Sequence, residues 1–127
     1  MNLQSTRIAI IGCGHVGTTC AYALLQSRLC REIVLIDEAG DLAKGEALDL
    51  RQSVPLGMPV TIFSGAYADA AASSIVVLAV GAPGKFPGSR LDLLAANIDS
   101  VGACVDKLMA EHSADILRRA YAGLREN

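Results

Sequence analysis

Charge of one sign is what this sequence most lacks. Eleven Lys and Arg stand against 13 Asp and Glu, a formal net charge of -2, and the basic residues are scattered along the chain. A nucleic-acid surface needs a basic stripe or patch, so composition argues against that partner class. Cysteine is sparse too. Cys13, Cys20, Cys30 and Cys104 form no C-x-x-C pair and no metal-ligand spacing, which argues against a metal site and, without a plausible signal peptide, against disulfides. They read as small buried thiols in a reducing cytoplasm. Cys13 sits where a helix N-terminus can depress a thiol pKa, and plain packing is the favoured reading there. Histidine occurs only at His15 and His112. An unbroken apolar run is also missing: Ile8 to Ser27 carries no Asp, Glu, Lys or Arg, yet three glycines, His15, two threonines and Gln26 interrupt it. That pattern suits neither a membrane span nor a signal peptide. With 127 residues there is room for one domain, which buries roughly two thirds of its surface.

What is present is concentrated between Arg7 and Asp37. Five residues, Arg7 to Ile11, run into Gly12-Cys13-Gly14-His15-Val16-Gly17; a helical pattern follows, and a second apolar run ends on Asp37, 20 residues past Gly17. Strand, glycine turn, helix, strand and acid in that order predict a dinucleotide site. Gly12 takes the tight turn, Gly14 admits a pyrophosphate to the backbone, and Gly17 lets the helix approach the strand. The helix start, His15 included, faces the phosphates with its free N–H groups and its dipole. Asp37 is expected to accept hydrogen bonds from the adenosine ribose and to repel a 2′-phosphate, selecting NAD over NADP.

The pattern continues in alternation. Val16, Cys20, Ala23 and Leu24 give the first helix an apolar side, and Glu32 to Asp37 reads as a strand covered on both faces. Ala39, Ala43, Ala47 and Leu50 stripe a second helix that Pro55, Gly57 and Pro59 end. Val60 to Phe63 and Ile75 to Val80 read as further strands, separated by a loop with at most a helical turn. Gly81 to Gly88 is a loop. Ser89 with Asp92 then reads as a capping box opening a helix whose Leu91, Leu94, Ile98, Val101, Val105 and Leu108 repeat at three and four. That stripe is core or subunit interface, and Cys104 is expected on the same helix away from the glycine turn. Alternating strands and helices predict an α/β fold, a Rossmann-type doubly wound parallel sheet with about four strands and right-handed crossovers.

Four segments together resemble the N-terminal half of the L-lactate/malate dehydrogenase family: IGCGHVG at Ile11 to Gly17, Asp37 with KGEALDL after it, VVLAVGAPGK at Val76 to Lys85, and SRLDLLAAN at Ser89 to Asn97. The likeness covers about residues 7 to 110. It implies an NAD-dependent oxidoreductase acting on a small 2-hydroxy or 2-oxo acid, in a cytoplasmic homo-oligomer. By the same resemblance Val16, Asp37, Tyr67, Gly81 and Ala82 line the NAD site. Arg90 matches the arginine of the family's mobile loop, which polarises the substrate carbonyl. Read without the resemblance, Arg90 is a solvated first-turn helix residue.

Departures from the family pattern matter as much. Gly84 stands where lactate enzymes carry Gln and malate enzymes Arg, so nothing there pairs a second carboxylate; Lys85 is its neighbour. Malate is therefore less expected, and the roomier pocket left by the missing Gln suits a bulkier 2-oxo acid better than lactate. Leu42 replaces a Lys common near the adenosine. The family's later Asp, substrate Arg and proton-accepting His are not found in this sequence, and neither His15 nor His112 sits in that catalytic motif. The expectation is an NAD-binding domain over residues 1–113, a divergent tail over 114–127, and a missing catalytic domain, as a frameshift near Ala114 would produce. A stand-alone nucleotide-binding or interaction module without turnover is the alternative.

Overall fold

The computed structural model describes residues 6–54, 60–81 and 87–126, without the side chains of 117–121 and 123–126. Its elements are β1 (Arg7–Ile11), α1 (His15–Ser27), β2 (Glu32–Ile36), α2 (Gly40–Gln52), β3 (Thr61–Ser64), α3 (Tyr67–Ala71), β4 (Ile75–Leu78) and α4 (Arg90–Glu126). All strand pairs are parallel and the sheet order is β3-β2-β1-β4. In register, Ala9 lies beside Val34 on one side and Val76 on the other. This is the expected doubly wound α/β sheet.

β1 and β2 are apolar at successive positions because both faces are covered. On one face Ile10, Ile33, Leu35 and Ile62 pack with Ala21 and Leu25 of α1 and Ala43 and Ala47 of α2. On the other, Ala9, Ile11, Val34 and Ile36 pack with Ala70 of α3 and Cys104 of α4. Each fully buried Ile, Leu or Val contributes about 1.5–3 kcal/mol of transfer free energy, so the central pair of strands anchors the fold. Polar ties reinforce the periphery. The Arg51 guanidinium donates to the Ile62 carbonyl at 2.8 Å, joining the end of α2 to β3, and Arg7 pairs with Glu32 at 2.8 Å across β1 and β2.

α1 is rotated from its expected setting. Its buried line is Gly17, Ala21 and Leu25, with Cys20 and Leu24 half-buried, while Val16 and Ala23 face outward. Gly17 must lie against β1, and that one close approach fixes the helix about its axis. α2 keeps Ala43, Ala47 and Leu50 inside, with Ala39 exposed at its N-cap. The residues expected to end it, Pro55, Gly57 and Pro59, lie outside the described residues.

The start of α4 follows the sequence closely. The Asp92 N–H donates to Ser89 Oγ at 3.2 Å and the Ser89 N–H donates back to the Asp92 carboxylate at 3.1 Å, a reciprocal cap that lowers the Asp92 pKa. The apolar stripe, however, is not core in this chain. Leu91 is 76% and Ile98 61% exposed, and Leu94, Val101 and Val105 are exposed as well. Of the stripe only Leu108 joins the core, packing with Cys104 of the neighbouring flank against α3. β4 is likewise open on its outer side among the described residues, with Ile75 44% and Leu78 38% exposed. Ile116 is exposed. An apolar strand edge and an apolar helix flank, both exposed, are templates for association. Light scattering of the purified chain should show size growing with concentration, and Leu78→Lys with Ile98→Lys should shift it toward monomer. A monomer at every concentration would contradict this.

Candidate functional site

The turn after β1 is built by two glycines that cannot be replaced and one that faces open space. Gly12 has φ of +103°, donates its N–H to the Ile36 carbonyl at 2.8 Å, and would drive a Cβ into the Ala79 carbonyl. At Gly17 a Cβ would run into the Gly12 carbonyl oxygen. Gly14 has an ordinary backbone, φ of -76°, and a Cβ there would meet nothing within 4 Å. α1 then begins at His15 with no side-chain cap and no acid in its first turn. The first N–H groups of a helix have no intrahelical partner, so this helix start presents donors and a positive dipole end toward the open side of Gly14.

That open side is a cleft of about 850 Å³. It lies beyond the carboxyl ends of β1, β2 and β4, where the strand order reverses between β1 and β4, the switch point at which doubly wound sheets bind ligands. Gly12, Gly14, His15 and Val16 line it from the turn. Asp37, Tyr67 and Gly81 line it from the ends of β2, the start of α3 and the end of β4. Seven of the residues expected at the nucleotide site thus meet in one cavity. Gly17 is buried under the turn rather than in the cleft. Arg90 is the exposed first residue of α4 and does not line the cleft. Ala82, Gly84 and Lys85 lie outside the described residues.

Asp37 is tied down before any ligand arrives. Its Oδ2 accepts the Cys13 N–H at 2.8 Å and its Oδ1 the Ala39 N–H at 2.9 Å. The carboxylate therefore clamps the glycine turn to the start of α2, and two oxygens with about four acceptor sites leave room for ribose hydroxyls. Cys13 is a packing residue. It is buried, its Sγ lies 3.7 Å from the Ile36 carbonyl, and burial, with help from the charges of Asp37 and Glu46, pushes the thiol up to about 11. The helix start does not make it a thiolate.

The family described as lactate/malate dehydrogenase, NAD binding domain, matches residues 6–117. The chain belongs to this family. An L-lactate dehydrogenase of Clostridium botulinum strain Loch Maree is 39% identical over 114 residues, 90% of this chain and 36% of that protein. The crystal structure of a minor L-lactate dehydrogenase from Enterococcus mundtii matches with a TM-score of 0.80 and 36% identity, over 85% of this chain and 35% of that one. A malate dehydrogenase from Archaeoglobus fulgidus, solved with NADH, matches with a TM-score of 0.75 and 33% identity, over 83% of this chain and 36% of that one. The chain thus spans about a third of the length of these relatives.

The NAD-binding domain has a wall that periodicity in the sequence did not point to. Asp99, Ser100, Ala103 and Cys104 of α4 line the cleft, with Glu38 and Leu42 opposite. Cys104, expected away from the turn, closes the cleft beside Tyr67, whose hydroxyl pKa is raised by burial and by its hydrogen bond with Cys104. Only the crossover brings α4 over the strand ends. Gly81 at the end of β4 lies close to Asn97, and Lys107 of α4 reaches Glu38 beyond β2. Small residues on the inner side of α4 were the available signal. The donors at the helix start, the space above Gly14 and the spare acceptor sites of Asp37 suit a dinucleotide. Among the described residues no cluster of His, Cys, Asp and Glu could hold a metal ion, and no helix is long and apolar enough to cross a membrane.

Proposed function

We propose that this domain binds NAD along the cleft and serves hydride transfer between NAD and a small 2-hydroxy acid of the L-lactate type in a cytoplasmic, homo-oligomeric dehydrogenase. The observation that carries this reading is the uncapped α1 opening above Gly14 at the β1/β4 switch point, with Asp37 at the end of β2. The N–H groups at His15 and Val16 take the pyrophosphate, Asp37 the ribose hydroxyls, and Tyr67, Gly81 and Ala82 border the bound nucleotide. NAD, when bound, supplies the hydride acceptor. Arg90, the first residue of α4, polarises the substrate carbonyl, and Gly84, six positions before it in the sequence, brings no charge to the substrate side chain. Residues 1–113 form the nucleotide-binding unit, with 114–127 as a divergent tail.

The test is a titration of NADH and NADPH, followed by fluorescence. The chain should prefer NADH, and Asp37→Ser should narrow that preference. Because the same substitution removes two backbone hydrogen bonds, worth about 1 kcal/mol each, the decisive quantity is the ratio of affinities rather than either alone. Equal affinities in the unmutated chain would defeat the assignment.

A further inference from the structure

Asp37 spends an acceptor site of each oxygen on backbone N–H groups, so part of its charge is already compensated where a 2′-phosphate would arrive. The next residue, Glu38, lines the same cleft and carries a second carboxylate, 82% exposed at the side chain. Its Oε1 lies 3.4 Å from Lys107 Nζ, and that ammonium also stands 5.7 Å from the centre of the Tyr67 ring. Tyr67 is itself a wall of the cleft. Lys107 therefore stands at this end of the cleft, held by one acid and one aromatic face.

We infer that Glu38 is a second cofactor-specificity residue: it keeps NADPH out both by its own charge and by holding Lys107 against Tyr67. The inference rests on the NAD reading above. A carboxylate one residue past Asp37 adds repulsion against the nearly doubly charged 2′-phosphate. Lys107 is the compensating group, a flexible point charge with three donors. Paired with Glu38 it presents little net charge to an incoming phosphate. Freed from that pair, it can swing from the Tyr67 ring to the phosphate, and the same end of the cleft becomes attractive instead of repulsive. Glu38→Gln thus removes a repulsion and releases an attraction at once, while ribose hydroxyls, uncharged, sense little of either.

The measurement is NADH and NADPH affinity by fluorescence titration for the unmutated chain, Glu38→Gln, and Glu38→Gln with Lys107→Gln. Glu38 is exposed and anchors no core residue, so the variants keep the far-ultraviolet circular dichroism of the parent. Glu38→Gln should improve NADPH relative to NADH about five- to tenfold at low salt, an advantage that shrinks at 1 M salt where screening reaches ~3 Å. Adding Lys107→Gln should return part of that gain. An unchanged ratio in Glu38→Gln, with NADH still binding, overturns the inference alone. A full gain that survives Lys107→Gln overturns the role of Lys107. Absence of NADH binding in the unmutated chain overturns the cofactor reading and this inference with it.

Discussion

Given NAD and L-lactate, L-malate or a branched 2-hydroxy acid, the purified 127-residue chain should form no detectable NADH. Moving hydride from the substrate carbon requires removal of the hydroxyl proton, and general acid–base help of that kind contributes typically 10²–10⁴-fold. The sequence offers two imidazoles. His15 opens α1 at the glycine turn, and His112 is exposed on α4, eight residues beyond Cys104 at the cleft wall. Arg90 can stabilise negative charge on the oxygen, but a guanidinium that never deprotonates cannot accept the proton. Losing substrate orientation costs more again. Joining the second half of an L-lactate dehydrogenase after Met109, in register with α4, should restore turnover. In that fusion Arg90→Gln should lower kcat and leave NADH affinity nearly unchanged, since Arg90 does not line the nucleotide cleft. Turnover by the unfused chain that survives His112→Ala and is lost in Arg90→Gln would falsify this account.

Residues 7–37 were legible because apolar runs, three glycines at fixed spacing and an acid 20 residues on mark β1, α1 and β2 in order. The clamp of Asp37 on the Cys13 N–H, 24 positions back, was not read from them. The strand order does not follow from the residues, since nothing in β4 says that it pairs with β1 rather than β3. Periodicity left core and interface undivided where it was strongest. The large side chains of α4 repeat at three and four, but the helix buries a neighbouring flank of smaller residues, Cys104 among them, against α3 and the sheet. A stripe in sequence reports that a face is apolar and is silent on what meets it. The far wall of the cleft was hidden for a related reason: Ser100 and Cys104 reach it through a crossover, and Glu38 meets Lys107, 69 positions away.

The glycine turn allows fold and binding to be separated by a single methyl group placed in two positions. Gly17→Ala should cost about 3 kcal/mol, a large share of the 5–15 kcal/mol that holds an ordinary domain together. The added Cβ meets the Gly12 carbonyl oxygen, a backbone atom fixed between the Gly12 N–H bond to Ile36 and the Ala79 backbone. Relief requires α1 to lift from β1, and that loosens Ala21 and Leu25 in the core. Gly14→Ala places the same methyl where nothing lies within 4 Å, on a backbone with φ of -76° that alanine adopts freely. Its urea midpoint should match the parent's, while NADH affinity should fall at least about tenfold, or 1.4 kcal/mol, because the methyl occupies the approach of the pyrophosphate to the α1 N–H groups. Denaturation and titration on the two variants check both halves. A Gly14→Ala chain that binds NADH as tightly as the parent would remove the phosphate from this turn. A Gly17→Ala chain of parental stability would show that α1 does not need its close approach to β1.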